Sequence, residues 1–238
     1  MYDGSKYNDS GKVRGSRHDG TQLTVRREGE RVPTGGETAV VLVRHGETDW
    51  NRDNRMQGWA PSTLTDRGRE QARALGDHLA ERYEFDRLVA SDLRRTRETT
   101  ALLQEAGVAP DPTFDRAWRE RDFGVYQGLT KDELFERYPQ FAATTGVSAV
   151  SEVPENGESL LSARQRVLDG WQRLREDATG ETVLVVTHGG PIYLLLGHLR
   201  GQDILTAVTD HSQHNCAINE TRVGERGDAD VVRHNETV

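Results

Sequence analysis

Short apolar runs rich in β-branched residues alternate along this chain with longer stretches of helical periodicity. Runs at residues 39–43, 88–90 and 182–187 are too short for helices and mostly apolar, which is typical of strands buried on both faces. The alternation predicts an α/β fold, a three-layer α/β/α sandwich with a mostly parallel central sheet, and further strands near 216–220 and 231–233 complete one edge. Helices are predicted at residues 65–83, 92–106, 130–138, 158–177 and 192–199.

The first part of the chain differs in pattern from the rest. Residues 1–38 are polar and Gly-rich, with no hydrophobic periodicity, and are expected to form a disordered extension. Residues 39–238 carry all the strand and helix patterns. We therefore predict one folded domain from residue 39 onward.

Composition narrows the classes of partner. A net charge of −8 argues against a broad surface for nucleic acid. Cys216 is the only cysteine, so no intrachain disulfide is expected. The N-terminal residues lack the apolar segment of a secretory signal, and no apolar run is long enough for a bilayer. These features predict a cytoplasmic protein with no membrane or nucleic-acid partner.

Two predicted strands end in the same way, with a histidine followed by glycine. The run 39–43 leads into Arg44-His45-Gly46, and the run 182–187 leads into His188-Gly189-Gly190. Open α/β sheets bind ligands at the carboxyl ends of their strands, and glycine lets a ligand approach the backbone closely. Two such junctions in one chain indicate a binding site that both histidines share.

A third junction adds positive charge. The run 88–90 leads through Ser91 into a predicted helix whose first turns carry Arg94, Arg95 and Arg97. Helix N-termini attract anions, and guanidinium groups bind phosphate through two parallel hydrogen bonds. We expect a phosphate site here, with at least one of the three arginines an ordinary solvated helix charge.

Taken in order, these motifs resemble the histidine phosphatase superfamily, the phosphoglycerate mutase-like group. The resemblance runs from about residue 39 to 220, and the order of its motifs along the chain makes it specific. It implies that residues 39–238 form a catalytic domain of that family. The matching segments are residues 43–51, 54–58, 64–68, 91–96, 120–129, 157–160 and 185–190.

The resemblance also implies a set of catalytic roles. His45 attacks phosphorus and becomes phosphohistidine. Arg44, Arg95 and a protonated His188 hold the equatorial oxygens of the phosphoryl group, whose negative charge needs positive neighbours. Glu120 protonates the leaving oxygen and then activates water. Asn51 and Gly189 are expected as further phosphate contacts.

Both phosphatases and mutases use this core, so the rest of the sequence must distinguish them. Only 38 positions separate Glu120 from Glu158. Mutases that cycle a bisphosphate carry a longer insertion there, which favours a phosphatase. Arg121 and Lys131 instead resemble mutase residues that bind phosphoglycerate. A cofactor-dependent phosphoglycerate mutase using 2,3-bisphosphoglycerate therefore remains the alternative. A non-catalytic phosphate-binding relative is disfavoured, because the expected nucleophile and acid are both present.

Neither a metal nor another cofactor is expected for the phosphatase. His211 and His214 are three apart, as metal ligands are on a helix, but no cysteine or carboxylate completes a zinc spacing. The expected partner is a small phosphorylated metabolite. Its identity is open, and so is the oligomeric state, with a homodimer among the options.

Overall fold

The computed structural model describes residues 36–108, 110–139, 150–210 and 212–238. Within them, one sheet contains six strands in the order β3-β2-β4-β1-β5-β6. Strands β1 to β4 are parallel, β5 is antiparallel to β1, and β6 is antiparallel to β5. The mostly parallel α/β sheet is therefore confirmed. The strands are β1 (Thr38–Arg44), β2 (Arg87–Ala90), β3 (Pro112–Phe114), β4 (Thr182–Thr187), β5 (Ile218–Val223) and β6 (Ala229–Glu236).

Several helices begin at side chains that cap them. Thr65, Thr130 and Ser159 each accept a hydrogen bond from the backbone N–H three residues further along. At Thr130 a full capping box is present, because the Glu133 side chain also accepts the N–H of Thr130. The helices are α1 (Asp49–Arg52), α2 (Asp66–Arg82), α3 (Arg94–Glu105), α4 (Lys131–Arg137), α5 (Leu160–Asp177), α6 (Gly189–Leu199) and α7 (Ile204–Asp210).

The two faces of the sheet bury separate apolar clusters. In β1, Val40 and Leu42 pack toward α5 and α6, whereas Val41 and Val43 pack toward α2 and α3. This follows from the alternation of side chains along a strand. It confirms the three-layer sandwich, and it explains why the predicted strands carry no polar face.

The carboxyl ends of three parallel strands meet at one edge of the sheet. Arg44, the last residue of β1, lies opposite Thr187, the last residue of β4. Ala90, at the end of β2, lies opposite Val186 of β4. The strands therefore deliver the residues that follow them to the same place.

Several boundaries differ from the sequence prediction. Helix α6 begins at Gly189, three residues before the predicted start at 192, because Gly189 and Gly190 form its first turn and Pro191 is tolerated there. Strand β5 begins at Ile218, beyond the predicted start at Cys216, whose φ of 57° is incompatible with a strand. Strand β3 and helices α1 and α7 were not predicted.

The N-terminal extension and the expected lack of a membrane-spanning segment stand differently. The division of the chain at residue 38 stays a prediction, since residues 1–35 lie outside the described part. Among the described helices, none combines the length and the apolar character that crossing a membrane requires.

Gly68 in the first turn of α2 permits the loop after β1 to approach closely. A Cβ at Gly68 would lie 2.0 Å from the carbonyl oxygen of Glu47. Gly68→Ala should therefore lower the free energy of unfolding by about 1–3 kcal/mol, because backbone must shift to admit the methyl group. Urea denaturation measures this change. Gly224→Ala is the matched control, since its Cβ would meet only the Asp228 carboxylate, at 3.1 Å. Equal losses in the two variants would contradict the steric argument.

Candidate active site

His45 and His188 meet where β1 and β4 end. Their ring centroids are 5.2 Å apart in an edge-to-face arrangement, and both side chains are buried. Nε2 of His188 lies 2.8 Å from the hydroxyl of Ser91, the residue that follows β2. The structure thus brings together all three strand ends that the sequence singled out.

Hydrogen bonds fix the protonation pattern of His45. Its Nδ1 donates to the carbonyl oxygen of Gly46 at 2.8 Å, and the Arg95 Nε–H donates to its Nε2 at 3.2 Å. The lone pair therefore resides on Nε2. Burial lowers the pKa of His45 well below 6.5, and the charges of Arg95 and Arg44 lower it further. His45 is consequently neutral at ordinary pH, with an available nitrogen nucleophile.

Arg95 is rigidly placed next to this nitrogen. It is the second residue of α3 and is fully buried, and its Nη1 and Nη2 donate to the carbonyl oxygens of Ala60 at 3.3 Å and Gly58 at 2.8 Å. Burial lowers the pKa of Arg95 to about 10, so the group still carries its charge at neutral pH. A fixed cation therefore lies beside Nε2 of His45.

The other two arginines of this helix point elsewhere. Arg94 is exposed and pairs with Glu98 at 2.9 Å. The guanidinium of Arg97 lies over the Phe114 ring, 3.7 Å from its centroid. Both are helix-surface charges, as expected for part of this group.

Two buried side-chain nitrogens of the site have no hydrogen-bond partner among the described residues. Arg44 donates from Nη1 to the carbonyl oxygen of Gln213, whereas its Nε is buried with no hydrogen-bond partner among the described residues. Nδ1 of His188 is buried and unpartnered within the same described set. Buried polar atoms without partners are costly, so an oxyanion between these donors would be stabilising. Gly189 lies alongside, since a Cβ there would be 3.8 Å from Nε of Arg44.

Main-chain donors orient the Glu120 carboxyl group. Its Oε1 accepts from the N–H of Arg121 at 2.8 Å, and its Oε2 accepts from the N–H of Gly190 at 3.1 Å. A Cβ at residue 190 would lie 1.9 Å from Oε1. Gly190 therefore has to be glycine for Glu120 to occupy this position. The sequence showed the double glycine but not which glycine the carboxyl group required.

Arg166 of α5 holds the loop that carries Glu120, a role that the sequence analysis missed. Its Nη1 donates to the carbonyl oxygens of Ala117 and Arg119, each at 2.9 Å, and its Nη2 donates to that of Glu120 at 3.2 Å. Arg166 also forms an ion pair with Glu158. The only signal in the sequence was an arginine bordering the apolar stripe of the predicted helix.

Asn51 lies beside the His45 loop and takes part in the cap of α1. Its Oδ1 accepts from the N–H of Thr48 at 3.2 Å and from Nδ2 of Asn215 at 3.2 Å. Asn215, which was not predicted, also donates to the carbonyl oxygen of His45 at 2.9 Å. These contacts engage the amide oxygen of Asn51 and leave its NH₂ group as the part suited to an anion.

Arg121 and Lys131, the two residues that resemble those of a mutase, lie in different surroundings. Arg121 is buried, and its Nε and Nη2 donate to the carbonyl oxygens of Glu158 at 3.0 Å and Glu152 at 3.2 Å. Lys131 is exposed at the start of α4, with its Nζ 5.6 Å from the Phe135 ring centroid. No contact in the described part of the chain joins Lys131 to the His45 group.

The protonated state expected of His188 is disfavoured by its surroundings. Burial is the main cause that lowers the pKa of His188 well below 6.5, and Arg95, His45 and Arg44 lower it further. Before an anion binds, His188 is therefore neutral, and its protonation against a bound phosphoryl group stays a prediction.

The described residues contain no group of three or more histidine, cysteine or acidic side chains that could hold a metal. His214 is exposed, and its backbone N–H donates to Oδ1 of Asn235 at 2.7 Å. His211 lies outside the described residues.

Fold and site together define a class: α/β sandwiches with a His/Arg cluster at the carboxyl edge of the sheet. A family profile described as histidine phosphatase superfamily, branch 1, matches residues 40–237. The chain therefore belongs to the histidine phosphatase superfamily, and the resemblance carried by its sequence motifs is confirmed.

The relatives include proteins named as phosphatases and proteins named as mutases. The uncharacterized phosphatase PhoE of Bacillus subtilis is 32% identical over 166 residues, 70% of this chain and 79% of the relative. A 2,3-bisphosphoglycerate-dependent phosphoglycerate mutase of Methylobacterium radiotolerans is 38% identical over 170 residues, 69% of this chain and 80% of the relative. Among solved structures, Bacillus stearothermophilus YhfR superposes with a TM-score of 0.77 at 29% identity, covering 84% of this chain and 98% of that one.

The lowered pKa of His188 predicts how stability depends on pH. An unfolded histidine titrates near pH 6.5, so below that pH the unfolded chain binds more protons than the folded one. The free energy of unfolding is therefore highest above pH 6.5. Below that pH it decreases by about 1.4 kcal/mol per pH unit for each such histidine. His188→Gln should flatten this slope in urea titrations between pH 5 and 7.5, roughly the span in which a histidine titrates.

The exposed His214 provides the matched control. His214→Gln should leave the slope at the parent value. If His188→Gln left the slope unchanged, His188 would not be buried in its neutral form.

Proposed function

We propose that this protein is a phosphatase that hydrolyses a small phosphomonoester through a phosphohistidine intermediate on His45. The observation that carries the proposal is the buried, unprotonated Nε2 of His45 next to the fixed charge of Arg95. A neutral nitrogen nucleophile beside a cation that binds phosphate is the arrangement that phosphoryl transfer requires.

In the first step, the Nε–H of Arg95 turns from Nε2 of His45 to a phosphoryl oxygen, and the freed lone pair of Nε2 attacks phosphorus in line with the ester oxygen. The new N–P bond forms as the P–O bond to the alcohol breaks, and Glu120 supplies the proton that the leaving oxygen takes up. Its carboxyl group is suited to this role because two main-chain N–H groups fix its orientation. Preorganisation of this kind lowers the barrier by positioning.

The phosphoryl oxygens bind to the donors that surround His45. Arg95 and the unpartnered Nε of Arg44 supply positive charge, and Asn51 and the Gly189 region contribute further contacts. A bound dianion raises the pKa of His188, because an opposite charge favours the protonated ring. His188 then donates from Nδ1 to an oxygen while Ser91 holds Nε2.

The second step returns the enzyme to its starting state. Glu120, now ionised, takes a proton from water as the water oxygen attacks phosphorus and the N–P bond breaks. Inorganic phosphate leaves, and the proton regenerates the acid form of Glu120. Neither step needs a metal or another cofactor. We expect the enzyme to act in the cytoplasm on a free small metabolite.

Hydrolysis is favoured over mutase chemistry by two features. The segment from Glu120 to Glu158 is short, which leaves the phosphohistidine accessible to water. Lys131, which a phosphoglycerate site would need, is exposed on α4, and Arg121 is engaged with main-chain oxygens.

Replacement of the nucleophile tests the proposal. His45→Ala should reduce kcat for phosphate release from a phosphomonoester panel at least ~10³-fold, because the covalent route is lost. The exposed His214 again offers the control, and His214→Ala should retain the parent rate. Near-normal release by His45→Ala would remove His45 from the mechanism.

A phosphoglycerate mutase is the second candidate, favoured by relatives of that name. The protein is incubated with 3-phosphoglycerate, with and without 2,3-bisphosphoglycerate, and 2-phosphoglycerate and phosphate are both quantified. A phosphatase should yield phosphate with little dependence on the bisphosphate. Rapid formation of 2-phosphoglycerate without phosphate release would establish the mutase instead.

A further inference from the structure

An open groove of about 490 Å³ adjoins the His45 site. Trp59 and Ala60 belong to both: the indole N–H of Trp59 donates to the carbonyl oxygen of Glu120 at 2.8 Å, and the carbonyl oxygen of Ala60 accepts from Arg95 at 3.3 Å. A volume of this size is typical of sites for small molecules. The groove is therefore placed to receive the alcohol portion of a phosphomonoester.

The charge of the groove is unlike that of the phosphate site. Asp122 is the one charged side chain among the described residues that line it. Of the cations nearby, Arg119 is bound through two nitrogens to Asp92, and Arg121 is held by main-chain carbonyl oxygens. A carboxylate or second phosphate in the groove would face Asp122 without a free cation, which is unfavourable.

A cationic alcohol is disfavoured for a different reason. The guanidinium of Arg119 already lies over the Trp59 ring, 4.4 Å from its centroid. That face of the Trp59 ring is therefore already covered and is not open to a cation of the ligand. The groove therefore disfavours an anionic leaving group and offers a cationic one no aromatic face.

The lining suits hydroxyl groups on an apolar frame. Oε1 of Gln127 accepts from the N–H of Ala60 at 2.9 Å and also from the N–H of Trp59, so its NH₂ group is the part directed to a ligand. Amide groups and a carboxylate both bind hydroxyls, and the ring and aliphatic surfaces cover C–H faces. The polar and apolar side chains of this lining belong to Trp59, Pro61, Asp122, Val125, Gln127 and Asn156.

We propose that this groove binds the neutral, polyhydroxylated alcohol of a sugar-like phosphomonoester and discriminates against substrates that carry a second anionic group. The proposal rests on the phosphatase function proposed above, whose substrate class it specifies. It assigns selectivity to the groove and leaves the chemical step to the His45 site.

Glucose 6-phosphate and 3-phosphoglycerate are the probes, with kcat/KM measured by phosphate release. The parent protein should prefer glucose 6-phosphate by about tenfold or more, a difference of about 1.4 kcal/mol in transition-state binding. Val125→Arg places a cation in the groove and should lower this preference at least ~5-fold. Val153→Arg, at an exposed position that is not among the lining residues, is the matched control and should keep the ratio within about twofold.

Equal use of the two esters by the parent protein, or equal shifts in the two variants, would overturn the proposal. Calorimetric titration of both esters into His45→Ala measures binding to the groove separately from the proposed reaction. Preferential binding of glucose 6-phosphate without hydrolysis by the parent protein would support the groove and refute the phosphatase. Hydrolysis of both esters by the parent protein without any preference would support the phosphatase and refute the groove.

Discussion

The hydrogen bond from Arg95 to Nε2 of His45 is the interaction on which the site depends. It joins the first turn of α3 to the end of β1, so the β2–α3 unit must pack correctly before it can form. It also keeps the ring neutral, because a protonated Nε2 could not accept the bond and a second charge would be repelled. One contact thereby sets position, tautomer and charge together.

Close approaches at two glycines place other groups of the site. Gly68 admits the main chain of Glu47, and Gly190 admits the carboxyl group of Glu120. In both places a methyl group would overlap another atom, so the choice of glycine controls the position of a chemical group that is distant in sequence. Arg166 completes the arrangement by holding the loop of Glu120.

The sequence predicted the layers, the parallel strands and the residues at the strand ends, because apolar runs and capping residues are local signals. Long-range partners were not accessible in the same way. Arg166 and Asn215 act through carbonyl oxygens distant in sequence, which no local pattern marks. The neutral state of His188 before an anion binds was equally inaccessible from the sequence, since the burial and neighbouring arginines that lower its pKa arise only in the folded chain. The roles of the site residues in catalysis stay predictions.

Covalent labelling of His45 tests the central claim most directly. The protein is mixed with a phosphomonoester that carries radioactive phosphorus, quenched within milliseconds and digested. The account predicts label that is stable in base, labile in acid and confined to the peptide containing His45, as a phosphorus–nitrogen bond requires. Label on another residue, or steady turnover with no label at any quench time, would contradict it.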